Sequence, residues 1–139
     1  MTVHATGFGA VETLEWGDGD QLMVLLHAAA SGPWGLTDLA ERLLRPGRRV
    51  VAPALAGYGG TRVEGAPDPV SAHATVARWT LAAFPARRQV LFGHSLGGLT
   101  AVLTAAGRDD LAALVLFEPI VLAALNLDDP GDRPMADGR

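Results

Sequence analysis

Ser95 stands in the run Gly93-His94-Ser95-Leu96-Gly97, between an apolar stretch at 90–92 and a small-residue stretch from 99 that suits a helix. A serine hydroxyl is exposed as a nucleophile when a sharp strand-to-helix turn lifts it clear of its neighbours. Such a turn needs small flanking residues, because the backbone doubles back on itself. Gly93 and Gly97 supply that room. The same geometry aims the N-terminus of the new helix at the reacting carbon. The pattern predicts acyl transfer at Ser95, with the N–H of Leu96 as one donor to the developing oxyanion. The plain alternative is a glycine-rich turn with an incidental serine; a strand before it and a helix after it favour the nucleophile.

Two other runs could contribute. Leu25-Leu26-His27-Ala28-Ala29-Ala30-Ser31-Gly32 ends an apolar stretch and continues as small residues. A loop there can turn a backbone N–H towards an oxyanion, or it is an ordinary strand-to-helix connection. His27 itself is expected to bond neighbouring backbone rather than shuttle protons. Residues 51–61 run from a strand end into the dense turn Gly57-Tyr58-Gly59-Gly60-Thr61. A dinucleotide fingerprint would need a third glycine at 62, where Arg62 stands, so that alternative is weak.

The elements around these runs follow from periodicity. Residues 11–16 alternate like a half-buried strand, and residues 22–26 form an apolar run of the kind buried on both faces. Leu36, Leu39, Leu43 and Leu44 recur at helical spacing before Pro46-Gly47. A second buried strand starts at Val50. Asp68-Pro69 opens a long helix with Val70, Ala74, Ala77, Leu81 and Phe84 near one face, closed by Pro85. Strands at 89–92 and 111–117 flank a helix at 99–106. Residues 119–127 are apolar and predicted helical, and 128–139, rich in Asp, Pro and Gly, read as a frayed tail or linker. Strands alternating with helices predict an α/β fold in three layers: a mostly parallel sheet with helices on both faces, over residues 1–127.

Composition excludes several chemistries. Apolar residues make up 49% and charged residues 19% of the 139, a globular balance. All eleven basic residues are Arg, which removes a Schiff-base or phosphate-loop lysine. With no Cys there is no disulfide, thiolate nucleophile or thiolate metal site. The net charge of −4 with scattered Arg gives no stripe for nucleic acid. No run is long enough to span a bilayer and residues 1–10 show no signal peptide, so a cytoplasmic protein without a membrane partner is expected.

Taken together, residues 25–117 resemble the amino-terminal half of the α/β-hydrolase superfamily. The loop at 27–32 is similar to the family's His-Gly oxyanion loop, residues 53–61 to its Pro-Asp-x-x-Gly-x-Gly-x-Ser turn, and Gly93-His94-Ser95-Leu96-Gly97-Gly98 to its nucleophile elbow. The three occur in the family's order and cover about two thirds of the chain. The resemblance implies Ser95 as nucleophile and the N–H groups of Leu96 and Ala29 as the oxyanion hole. It also implies a small-molecule acyl substrate with an ester-like carbonyl, and neither cofactor nor metal. Ala28 stands where the family usually has Gly, which would strain a backbone that needs positive φ. Ala54 stands where Asp is common.

The largest departure concerns the base. The resemblance places a triad acid after a later strand and the triad histidine after the last one. The histidines here are His4, His27, His73 and His94, and none lies in that place. His94 is expected to pack within the elbow and His73 to be exposed. The chain is therefore expected to be a part truncated before the triad histidine, inactive alone and open to self-association through an uncovered sheet edge. Glu118 could orient a histidine, since a minority of the family places its acid there, but Phe117-Glu118-Pro119 more closely resembles a family turn whose Glu is not catalytic. Trp34, Leu96 and residues 119–127 could line a substrate pocket, packing being an equal reading of each. The alternatives are a non-catalytic ligand-binding member of the fold, or a C–C hydrolase or haloperoxidase-like enzyme.

Overall fold

The middles of Gln21–Leu26 and Arg48–Pro53 carry no polar residue that would mark an outer face, and Val24, Leu25, Leu26, Val50, Val51 and Ala52 are all fully buried. These two runs form the centre of a sheet covered on both sides. The computed structural model describes residues 1–120. In chain order its elements are β1 (Thr2–Thr6), β2 (Gly9–Gly17), β3 (Gln21–Leu26), a 3-10 turn (Pro33–Leu36), α1 (Thr37–Leu43) and β4 (Arg48–Pro53). There follow β5 (Arg62–Val63), α2 (Pro69–Ala83), β6 (Arg88–His94), α3 (Leu96–Ala105) and β7 (Ala113–Phe117).

The strand order is β1-β2-β4-β3-β6-β7, with β5 pairing β2. β4, β3, β6 and β7 run parallel, whereas β1 and β2 join antiparallel. Alternate residues of the central strands face two separate cores, as the two-residue pleat requires. Leu22, Val24, Leu26 and Val51 pack with Ala77 and Leu81 of α2 and Ala101 of α3. Leu25, Val50 and Ala52 pack with Leu36 and with Ala40 of α1. The three-layer, mostly parallel arrangement expected from the sequence is therefore present. Each fully buried leucine contributes about 2 kcal/mol through area removed from water.

Several boundaries differ from the sequence pattern. β1 is not evident from hydrophobicity, because its one large aliphatic residue, Val3, is 59% exposed. Its inward contact is His4, whose ring packs on Trp79 and Phe84 and whose Nε2 lies 2.9 Å from Thr13 Oγ1. α3 begins at Leu96 rather than 99, because Gly97 and Gly98 are helical despite their low propensity. β7 starts at Ala113 rather than 111. His73, expected to be exposed, is 93% buried, with a relative exposure of 7%. The helix expected at 119–127 and the tail at 128–139 lie outside the described residues, except for Pro119 and Ile120, which are not helical.

The connectivity fixes where chemistry can occur. From β3 the chain passes outward to β4 on one side and later returns to β6 on the other. The carboxyl ends of β3 and β6 thus flank a topological switch point, where a crevice opens in parallel sheets.

Candidate active site

Leu26, the last residue of β3, is in register with Gly93 of β6, so residues 27–29 and 94–96 leave the same edge of the sheet side by side. Ser95 sits between β6 and α3 with φ 53° and ψ −112°. That is a sparsely populated conformation for a residue with a Cβ, with a cost on the order of 1–3 kcal/mol. The surroundings hold it there. Ser95 N–H donates to Phe117 O at 3.1 Å, and Ser95 O accepts from Gly98, Leu99 and Ile120 N–H at 2.9, 3.1 and 3.2 Å. A Cβ at Gly93 would collide with the carbonyl of Gly97, and one at Gly97 with the carbonyl of Leu26. Both glycines are therefore required by backbone approach, as the sequence pattern anticipated.

Ala29 and Leu96 lie three residues beyond Leu26 and Gly93 respectively, the last pair in register between β3 and β6. Neither N–H has an acceptor among the described residues. For Leu96 this is the usual state of a first-turn helix donor. Ala28 does not adopt positive φ; among non-glycine residues described, only Ser95 and Glu118 do. The replacement of Gly by Ala at 28 thus carries no such backbone strain.

His27 is fully buried. Its Nε2 accepts from Leu55 N–H at 2.9 Å, and its Nδ1 lies 2.9 Å from Ala28 O. Because Leu55 can only donate, Nε2 must be unprotonated and Nδ1 carries the hydrogen. Burial pushes the imidazole down to about 4, with His73 lowering it further and the Ala28 carbonyl opposing. A neutral ring with both nitrogens engaged is a structural histidine. Tyr58 meets it edge-on at 4.6 Å and lies 6.4 Å from His73. Burial lowers the pKa of His73 as well, and its Nδ1 is buried with no partner among the described residues. His94 rests on the ring of Phe117 at 5.0 Å, which places it in packing.

Glu118 is exposed, with φ 44°, directly after β7, and no hydrogen bond or ion pair joins it to a histidine among the described residues. Trp34 is 47% exposed and lies against Gly32, where a Cβ would meet its ring at 2.6 Å. A cavity of about 290 Å³ lined by Gln21, Met23, Leu43, Arg48, Arg88 and Val90 opens at the amino ends of β3, β4 and β6. That is the edge opposite Ser95 and offers no nucleophile, so backbone geometry, not cavity size, locates the candidate site.

One contributor was not singled out from the sequence. Glu12 lies within the alternating run 11–16 yet is buried beside the glycine turn. Its Oε2 accepts from Gly60 N–H, its own N–H donates to Thr61 Oγ1 at 3.0 Å, and its carbonyl accepts from Ala54 N–H at 2.8 Å. The signal in the sequence is a carboxylate between Val11 and Thr13, in a run that otherwise reads as a strand. Among the described residues no group of three His, Asp or Glu is arranged to hold a metal ion, and no helix is long and apolar enough to cross a membrane.

A family model for the alpha/beta hydrolase fold matches residues 21–133. The chain belongs to that family. Solved structures of the fold superimpose on this hydrolase-fold chain. An alpha/beta hydrolase from Sphaerobacter thermophilus is 26% identical at a TM-score of 0.71, over 85% of this chain and 45% of its own. An esterase from Exiguobacterium antarcticum is 22% identical at 0.72, over 85% and 45%. The thioesterase domain from the curacin biosynthetic pathway is 23% identical at 0.75, over 90% and 49%. The chain spans less than half the length of each of these structures. No curated protein matches it in sequence.

Proposed function

We propose that this α/β-hydrolase-fold chain carries the nucleophile and oxyanion hole of a serine hydrolase acting on an ester-like carbonyl. The observation that carries the reading is the backbone of Ser95, held at φ 53° between two glycines that admit no side chain. Strain of this kind has a use when a hydroxyl must project from a turn, and none in a plain loop. In the proposed reaction Ser95 Oγ bonds to the carbonyl carbon, its proton passes to a base, and the alcohol or thiol leaves with a proton. Water then releases the acid and restores the serine. The N–H groups of Leu96 and Ala29 receive the negative charge on the carbonyl oxygen. Their free state among the described residues and their matched places after β6 and β3 support that role.

The base is not one of the four histidines. His27 has both nitrogens bonded, His94 packs on Phe117, His73 is buried on α2, and His4 lies across the sheet against Trp79. A triad therefore requires a group this chain does not carry, and the chain alone is expected to show only the residual reactivity of an oxyanion hole with an unassisted serine. The test is prolonged reaction with a fluorophosphonate or an activated ester, followed by peptide mapping. The expected adduct lies on Ser95 and disappears in Ser95→Ala. An adduct spread over other residues, or unaffected by the substitution, would refute the assignment.

A further inference from the structure

We infer that His27 is a positioning residue that sets the direction of the Ala29 N–H by holding the carbonyl on the opposite side of the same peptide group. The inference rests on the reading of Ala29 as an oxyanion donor. Ala28 C=O and Ala29 N–H belong to one planar trans unit, in which the two bonds point in opposite directions. Whatever holds the carbonyl on one side therefore turns the N–H to the other. Ala28 O accepts from His27 Nδ1–H at 2.9 Å and, at longer range, from Ser31 N–H at 3.3 Å and Ser31 Oγ–H at 3.4 Å.

The His27 bond is the shortest of the three and comes from a side chain held on both sides. Its ring is fully buried, and Tyr58 packs against it edge-on at 4.6 Å. Its far nitrogen is held by Leu55 N–H, which arrives from the loop after β4, 28 residues away in sequence. That distant donor also fixes the tautomer. Were Nε2 protonated, it would oppose the Leu55 N–H, and Nδ1 would have no hydrogen to offer Ala28. The loop after β4 is itself tied down, since Ala54 N–H donates to Glu12 O at 2.8 Å and Tyr58 N–H to Leu55 O at 2.9 Å. A path of hydrogen bonds thus runs from β2 through the β4 loop and the imidazole to the peptide beside Ser95.

Two substitutions separate the halves of this clamp. In His27→Asn the side-chain amide reaches the Nδ1 position and can still donate to Ala28, while the Leu55 bond is lost. In His27→Gln the amide reaches the Nε2 position and can still accept from Leu55, while the Ala28 bond is lost. The primary readout is the residual dipolar coupling of the Ala29 N–H in the ¹⁵N-labelled full chain. We expect His27→Gln to change that coupling, with those of β3 and β6 unmoved, and His27→Asn to keep it. An unchanged coupling in His27→Gln, or equal changes in both variants, overturns the inference, because a merely structural histidine would disturb the loop either way. Should a variant fail to fold, the ring ¹⁵N spectrum of the unaltered chain decides: a hydrogen on Nδ1 is required, and one on Nε2 overturns it. Fluorophosphonate labelling of Ser95 should slow at least about tenfold in His27→Gln, against the 10²–10³ typical for complete loss of an oxyanion donor. Labelling that survives Ser95→Ala defeats the nucleophile reading. Labelling lost in Ser95→Ala but unchanged in His27→Gln defeats the inference alone.

Discussion

Acid should destabilise this chain through His27 as the pH falls from 6.5 towards 4. The ring is fully buried and its pKa sits near 4, against an ordinary 6.5. An unfolded chain binds a proton at this position once the pH drops below 6.5, whereas the folded chain does not until about 4. Since the unfolded state holds more protons in that window, stability must rise with pH across it. The contribution is complete above 6.5 and is lost progressively as pH falls to 4. At pH 4.5 the loss amounts to about 2.5 kcal/mol, a large share of the 5–15 kcal/mol typical of a domain. The groups facing the ring are Tyr58 and His73. His73 is itself lowered by burial and acts in the same sense, so its share must be removed by comparison. The assay is urea unfolding followed by circular dichroism at pH 7.5, 6, 5 and 4.5, on the unaltered chain, His27→Gln and His73→Gln. His27→Gln is expected to start lower, having lost the Ala28 bond, and then to fall less steeply, so that the curves converge towards pH 4.5. The Glu15 carboxyl is lowered in all three: burial raises it, but hydrogen bonds from Thr13, Arg49 and His4 prevail, so its acid loss cancels. Parallel curves for the unaltered chain and His27→Gln would refute the reasoning.

Three further outcomes are expected. Ser95→Gly should raise stability by about 1 kcal/mol, because glycine adopts φ 53° without penalty; an unchanged or lower unfolding midpoint would show that the elbow is not strained. Glu118→Gln should leave Ser95 labelling within about twofold, well short of the loss expected on removing a triad member, since nothing described joins Glu118 to a histidine; a loss like that of Ser95→Ala would show that Ser95 depends on Glu118 and overturn the reading of an unassisted serine. Finally, β7 pairs only with β6 among the described residues and leaves Leu114, Val115, Leu116 and Phe117 between 39% and 53% exposed. We propose that this uncharged edge pairs with the same edge of a second copy, so sedimentation should show a concentration-dependent dimer that Val115→Lys abolishes; a monomer at all concentrations would count against it.

The parts of the site legible in the sequence were those in which backbone contacts dictate residue type. Gly93 and Gly97 face carbonyl groups, so no other residue fits, and the turn around Ser95 could be located from them. The central strands were legible for a similar reason, burial on both faces leaving no polar position. Side chains buried against their type leave no such mark in the sequence. On α2 the expected apolar face omitted His73 and Thr80, yet both are buried. Thr80 manages this by donating its hydroxyl to Val76 O at 2.8 Å, within its own helix. Leu96 to Gly98 belong to α3 and not to the turn, because the close approach of the helix to β3 at Gly97 overrides a propensity cost of about 1 kcal/mol per glycine. The clamp on Ala28 was half legible. That His27 would bond adjacent backbone follows from its place at a strand end, but the donor that fixes its tautomer comes from Leu55, and only the crossover from β3 through α1 to β4 brings that residue alongside. The direction of the Ala29 N–H is thus encoded at two places in the chain, a histidine at one strand end and a backbone position in the loop after the next.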